Sequence, residues 1–338
     1  MAARKGANEK EDLSPSRILE TVYRFRDARV LLTAFELDVF TAIGNSPRSA
    51  AELSQALKTN ERATDRLLDA LCGMGILKKK HGKFSNTSLS ARFLVEGNPD
   101  YMAGLMHSVH LWRTWSTLTD AVRAGTTVVQ REAVNERGVN WLDAFIAAMH
   151  MRAYKQAPAL VKLLDLRGVR RVLDVGGGSG AYSMAFVRAK KEIHATVFDL
   201  PNVVPLTSGY IESEKLADRI STVAGDYEVD SLGTGFDLVF LSAIIHSNSV
   251  DINKQLVKKA YDALNPNGQL VIQDHVMDED RTAPLAGTFF ALNMLVGTRA
   301  GDTFTESEIR SWMEEAGFKN IRRKDDPVST GLMMGRKK

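Results

Sequence analysis

The residues Asp174-Val175-Gly176-Gly177-Gly178-Ser179-Gly180 stand between a short β-branched apolar run and a helical one. Glycines at such a turn let the backbone fold tightly and approach a ligand, while the N–H groups that open the following helix face an anionic group. Three alternate glycines are more than a bare strand-to-helix connection needs, so the turn reads as a binding site for a nucleotide-like molecule. Its spacing does not name that molecule, because Gly176-x-Gly178-x-x-Ala181 also satisfies a dinucleotide-binding pattern. Asp199 ends the next strand-like run, 19 residues beyond Gly180. A carboxylate there can accept both hydrogens of a ribose diol, which again suits either class of cofactor.

Such residues need a parallel sheet to hold them. From Arg170 onward short apolar runs alternate with helical patterns, the signature of βαβ units. Strands are predicted at RVLDV, HATVFDL, ISTVAG, DLVFLSAII, QLVIQDHV, NIRRK and GLMMG, with helices at 180–190, 253–264 and 305–316 separating several of them. Their unbroken apolar character suits strands covered on both faces. Upstream the pattern changes. Ile18, Leu19, Val22, Phe25, Val30, Leu31, Ala34 and Phe35 recur at three-to-four spacing, which predicts two helices or one broken helix between Ser16 and Ile43. Ala50–Leu57 and Glu61–Gly73 have helix-turn-helix spacing, and His81-Gly82 between two strand-like runs reads as a hairpin, so this region is a winged helix. The organisation predicted is a disordered polar tail over 1–13, a winged-helix domain over 14–98, a helical region over 99–165 and an α/β domain over 166–338.

A chain of 338 residues exceeds one ordinary domain, in keeping with two cores. With 44% hydrophobic and 25% charged residues it has the composition of a soluble globular protein, not a disordered or collagenous one. No run approaches the roughly 18 apolar residues of a membrane span. Cys72 is the only cysteine, so no internal disulfide is possible, and a reducing cytoplasm is the expected location. The net charge of +3 arises from 44 basic and 41 acidic residues, and much of the excess lies in the tails Arg4-Lys5 and Arg336-Lys337-Lys338. The presumptive recognition helix, Asn60 to Arg66, is charge-balanced, and only Lys78-Lys79-Lys80 and Lys83 look suited to phosphate, which argues against nucleic acid. His107 and His110 have a metal-like spacing, yet no carboxylate or cysteine at a matching distance completes a ligand set, so a structural or pocket-lining role is expected. Trp112, Trp115, Phe289, Phe290 and Met294 read as core or interface, and the long 278–304 connection as a lid.

Further along, Gly225-Asp226-Tyr227 closes the third strand, Leu264-Asn265-Pro266-Asn267-Gly268 precedes the fifth, and two closely spaced strands follow. This set resembles the S-adenosylmethionine-dependent methyltransferases of the seven-stranded class I, Rossmann-like fold. With VLDVGGGSG, FDLP, AGD, a histidine after the fourth strand and a helical N-terminal region, the chain resembles in particular the O-methyltransferases that include plant caffeic-acid and bacterial antibiotic enzymes, over roughly residues 15–337. The resemblance implies S-adenosylmethionine as cofactor, S-adenosylhomocysteine as product, no metal, a small-molecule acceptor and a homodimer formed through the N-terminal helices. It places Gly176 and Gly178 along the methionine part of the cofactor, Asp199 at its ribose and Asp226 at its adenine amino group, with Asp174, Gly180 and Leu200 as further cofactor-binding positions. Tyr227 packs on the adenine ring, and Ser242 aligns with a lysine that plant members use nearby. It makes His246 the base and Asp274, one carbon shorter than the usual Glu, its acidic partner, while a second acidic position falls at Thr303. The family's Asp-Trp after the histidine is here Ser247-Asn248.

The chemistry agrees with that placement of His246. Methyl transfer from a sulfonium is an in-line displacement that needs alignment and removal of a proton from a poor nucleophile, and an imidazole at the carboxyl end of a central strand is suited to the second task. His275 is a rival, but adjacent strand residues point to opposite faces, so only one of Asp274 and His275 is expected to address the pocket. Met149, Asn293 and Met294 are the candidate acceptor contacts. The predicted reaction is methylation of a hydroxyl on a small aromatic or polyketide-like molecule. Two alternatives stand beside it: N- or C-methylation by proximity without a base, and a DNA-binding regulator with a metabolite-sensing Rossmann-like domain.

Overall fold

Three-to-four spacing folds the first stretch into three helices, α1 (Ser16–Tyr23), α2 (Phe25–Glu36) and α3 (Val39–Ile43), in a computed structural model that describes residues 14–129, 141–325 and 331–338. The expected tail over 1–13 lies outside the described residues. After β1 (Arg48–Ser49), the helices α4 (Ala50–Leu57) and α5 (Glu61–Gly73) form the helix-turn-helix. Ser49 and Glu52 cap α4 reciprocally, and Asn60 accepts the N–H of Ala63 to start α5. β2 (Leu77–Lys80) and β3 (Lys83–Asn86) pair as the wing, and β1 adds to β3. His81 and Gly82 between them have φ of 50° and 74°, the doubly left-handed turn that a tight hairpin requires. α6 (Ser88–Phe93) follows. Leu53, Leu68, Leu71, Leu77 and Phe84 fill the centre of this unit, which spans residues 1–101. Lys79 of the wing is held by Asp65 and Asp69 of α5, so part of its basic character is already neutralised. α1 buries none of its residues and leaves Ile18, Leu19, Val22 and Tyr23 exposed.

The second unit, 102–338, opens with α7 (Leu105–Trp115), α8 (Leu118–Ala124) and α9 (Trp141–Val161), which belong with the sheet rather than forming a separate link. β4 (Arg171–Val175), α10 (Ala181–Ala189), β5 (His194–Asp199), α11 (Val204–Ser213), β6 (Ile220–Ala224), β7 (Phe236–Ser242) and α12 (Val250–Ala263) continue it. Then come β8 (Leu264–Asp274), β9 (Val276–Met277), α13 (Leu285–Gly297), β10 (Phe304–Thr305), α14 (Glu306–Ala316), β11 (Lys319–Asp325) and β12 (Gly331–Arg336). The seven-stranded sheet runs β11-β12-β8-β7-β4-β5-β6, parallel except for β12, which is antiparallel to both of its neighbours.

Alternation sends Leu173, Val175, Val239, Leu241, Leu270 and Ile272 into one core with α12 and α14. Val172, Leu238, Phe240 and Val271 enter the other, with α9 and α10. The seven predicted strands are all present, but β7 stops at Ser242 instead of running through Ile245: Ala243 takes a left-handed φ of 55°, and the chain turns back over the sheet edge. α11 falls in a stretch for which no helix was predicted. The 278–304 connection is no structureless lid, since α13 occupies its middle and β9 and β10 pair at its two ends. No helix among the described residues is long and apolar enough to cross a membrane.

Candidate active site

β5 leaves β4 on one side and β7 lies on the other, so the strand order reverses at the carboxyl ends of β4 and β7, where open α/β sheets bind ligands. The glycine turn follows β4, and its Gly176 and Gly178 have φ of 63° and 56°. A Cβ on Gly176 would lie 2.1 Å from Cδ1 of Ile244, so the turn after β4 packs against the side chain of the turn after β7, and its left-handed φ favours glycine there. Gly178 donates its N–H to Asp199 Oδ2 at 2.8 Å, and its carbonyl accepts the Thr207 hydroxyl. Leu200 N–H donates to Asp199 Oδ1, also at 2.8 Å. Each oxygen of Asp199 thus has one backbone donor and a lone pair to spare. Burial pushes the Asp199 carboxyl above the usual range, against the pull of those two N–H groups. Leu200 is 42% exposed beside it. Glycine backbone, a carboxylate with free lone pairs and an exposed apolar side chain fit a sulfonium nucleoside with an amino-acid tail.

Asp174 does not belong to that surface. It shares the strand face of Val172, is fully buried, and accepts the Ser183 hydroxyl from α10 at 2.7 Å, so it supports the turn from below. Burial raises its carboxyl to about 7, with Asp199 nearby acting in the same direction. The folded protein therefore holds a proton that the unfolded chain releases near pH 4, and stability falls as pH rises from there to about 7. Asp174→Asn removes this dependence: its melting temperature relative to wild type rises between pH 4.5 and 7.5 in thermal scans, and a constant difference would contradict the buried acid.

On the other side of Asp199, Asp226 Oδ1 accepts the Glu228 N–H, and Lys259 Nζ donates to the carbonyls of Tyr227, Glu228 and Asp230, which pins the turn. Tyr227 is half-buried, donates its phenol to Asn248 Oδ1 at 2.8 Å, and is pushed by burial up to about 12. The Ser242 hydroxyl is bonded to Gln273 Oε1, back in the sheet.

His246 sits on a single 3-10 turn, Ile245–Ser247, just past β7. Its Nδ1 lies 2.8 Å and 3.0 Å from the two oxygens of Asp274 at the end of β8, and both side chains are buried. The Asp274 carboxylate also accepts the N–H of His275 at 2.8 Å. Burial alone would raise the Asp274 carboxyl, but the His246 ring and the His275 N–H hold it below the usual range. A carboxylate at Nδ1 fixes the proton there and leaves Nε2 as the acceptor. Thr303, the second aligned acidic position, is buried and donates its N–H to Asp302 Oδ1, so Asp274 is the carboxylate that meets the ring.

Phe290 of α13 packs edge-on against His246 at 4.7 Å and tilted against His275 at 4.3 Å. Phe290, read from the sequence as core or interface, thus packs against both rings, and His275 directly follows the end of β8 at Asp274. Phe289 is exposed. On α13, Asn293 accepts the Trp115 indole N–H at 2.8 Å, which ties a candidate acceptor contact to α7, while Met294 is buried. Met149 is half-buried on α9. The next residue, His150, went unnoticed in the sequence: its Nδ1 is 2.8 Å from Ser179 Oγ of the glycine turn, and its ring stacks on Tyr210 at 4.2 Å. Ile146, four residues earlier on the same helix, also lies near Gly178. His107 packs on Phe145, and burial, with His110 adding to it, pushes its pKa down to about 4. No group of three or more His, Cys, Asp or Glu among the described residues could hold a metal ion.

An O-methyltransferase domain model matches residues 115–319, and an O-methyltransferase dimerisation domain model matches 19–96. A 3-hydroxy-5-methyl-1-naphthoate 3-O-methyltransferase of Streptomyces sahachiroi is 33% identical over 315 residues, 91% of each chain. Among solved structures, PigF with S-adenosylhomocysteine is 25% identical with a TM-score of 0.86, covering 96% of this chain and all of that one. Human N-acetylserotonin methyltransferase in complex with S-adenosylmethionine is also 25% identical, with a TM-score of 0.82 and coverage of 98% and 99%. A glycine turn at the switch point, a histidine–carboxylate pair across from it and a match to family models through both units have one common account: the chain belongs to the O-methyltransferase family.

Proposed function

We propose that this O-methyltransferase transfers the methyl group of S-adenosylmethionine to a hydroxyl, phenolic in character, on a small aromatic or polyketide-like molecule. The observation that carries this reading is the His246–Asp274 pair, buried at the carboxyl edge of β7 and β8 next to the glycine turn. When bound, the cofactor supplies an electrophilic methyl group on a sulfonium. Gly176, Gly178 and Gly180 let the backbone approach its methionine part, Asp199 accepts from the ribose, Leu200 covers it, and Asp226 and Tyr227 address the adenine. Asp274 holds the His246 ring with Nε2 open, and Nε2 takes the proton of the acceptor hydroxyl as the oxygen becomes a nucleophile. Phe290, Asn293 and Met149 bound the acceptor side, and an aromatic acceptor suits the Phe290 face.

The direct test is incubation with methyl-labelled S-adenosylmethionine and a panel of hydroxylated naphthoates and polyketide phenols. Labelled methyl ether is the expected product, whereas label on nitrogen or carbon would favour a reaction that needs no base. A homodimer is part of the same reading, since the dimerisation domain presents the uncovered apolar side chains of α1. Light scattering at micromolar concentration gives twice the chain mass if it is right and the chain mass if it is wrong. With one cysteine and no internal disulfide, the cytoplasm is the proposed location.

A further inference from the structure

The residues that follow His246 depart from the family pattern, and the structure gives the second of them a task. Asn248 is the middle of a buried polar chain. The Tyr227 phenol donates to Asn248 Oδ1 at 2.8 Å, Asn248 Nδ2 donates to Asn253 Oδ1 at 3.0 Å, and Asn253 Nδ2 donates to the carbonyl of Ile245 at 2.8 Å. Asn248 is 4% exposed and Asn253 not at all, so neither amide can exchange its partner for water. The direction of the chain is set by its ends: the Ile245 carbonyl can only accept, which orients the Asn253 amide, then the Asn248 amide, and so turns the phenol into the donor. A fully satisfied buried network of this kind holds one arrangement and resists others.

The two ends of the chain are the two halves of the reaction. At one end is the ring that packs on the adenine under the reading above. At the other is the peptide immediately before His246, on a turn that is also held by the Asp274 carboxylate at the imidazole and by the Asp302 N–H at the His246 carbonyl, 2.9 Å away. We propose that Asn248 and Asn253 are positioning residues that couple the seating of Tyr227 against the cofactor to the alignment of the His246 turn, so that the base is brought to register when the methyl donor is in place. The inference rests on the assignment of Tyr227 to the cofactor and of His246 to the base. Ser247-Asn248 is then a polar connection between donor and base, which an apolar side chain at 248 could not supply.

The test uses the full-length protein. Tyr227→Phe removes the phenolic hydroxyl and keeps the ring, and Asn248→Ala cuts the chain at its middle. Each is expected to lower kcat by about three- to tenfold, the worth of one hydrogen bond. Affinity for S-adenosylhomocysteine in calorimetry should change less than twofold in Asn248→Ala, and the double variant should be no slower than the worse single one. A role in folding alone would lower the melting temperature without this split. The imidazole resonances of His246 supply the second readout: on adding S-adenosylhomocysteine they shift in the wild type and no longer shift to the same bound position in Tyr227→Phe. If the wild type binds S-adenosylhomocysteine and the variants keep both kcat and the His246 shift, or if the losses multiply in the double variant, the coupling is overturned while the donor assignment stands. If the wild type does not bind S-adenosylhomocysteine, the donor assignment falls and the coupling with it.

Discussion

Replacing His246 with alanine lowers kcat by about 10²–10⁴-fold, the usual contribution of a general base, and leaves affinity for S-adenosylhomocysteine nearly unchanged. The split follows from position. The imidazole is bonded to Asp274 and bordered by Phe290, and no hydrogen bond joins its side chain to the glycine turn or to Asp199, so its loss leaves the donor's cradle intact. Burial of the pair matters as well, because Asp274 fixes the Nδ1 proton only while it remains a carboxylate, and its surroundings hold it so. Steady-state kinetics, with calorimetry on both proteins, decides it. A variant within a few-fold of wild type would remove the base and leave proximity as the source of catalysis.

Asp199→Ala acts on the other half of the site and weakens S-adenosylhomocysteine binding by about 10²–10⁴-fold. Two charge-assisted hydrogen bonds to a ribose diol, at about 1.5–3 kcal/mol each, sum to that range. The same carboxylate also receives the N–H groups of Gly178 and Leu200, so its removal loosens the turn that faces the methionine part. Asp199→Asn is a sharper probe. An amide offers one oxygen, so either Gly178 or Leu200 N–H then meets an NH₂ group, and binding falls although size and shape are kept. Calorimetry measures both, with circular dichroism to verify folding. Unchanged affinity in Asp199→Ala would assign Asp199 to turn support alone.

The glycine turn and its carboxylate were legible as a local unit because its residues are close in sequence and its glycines carry a backbone requirement that no packing can disguise. Gly176 to Gly180 and Asp199 stand where a strand-turn-helix unit must put them. Asp174 was misplaced, although strand alternation was available to correct it: next to Leu173 and Val175 in one core, it had to face α10 with Val172. β7 overran because Ala243-Ile244-Ile245 is as apolar as the strand itself and carries no glycine or proline to mark the left-handed residue that ends it. Phe290, His150 and Asn253 were out of reach for another reason. Each works through a contact with a residue on a different element, and periodicity within one helix says which face is apolar, not what lies opposite.

The antiparallel β12 has a consequence for how this enzyme is made. It lies between β8 and β11, and its Gly331 and Leu332 stand in register with Asp274 and Gln273. β11 has no other partner in the sheet, and the end of β8 that carries the base's carboxylate is not flanked on its outer side until residues 331–336 have emerged from the ribosome. Because a domain generally folds as a unit, the sheet that holds the glycine turn, Asp199 and the His246–Asp274 pair is complete only once that strand has been made.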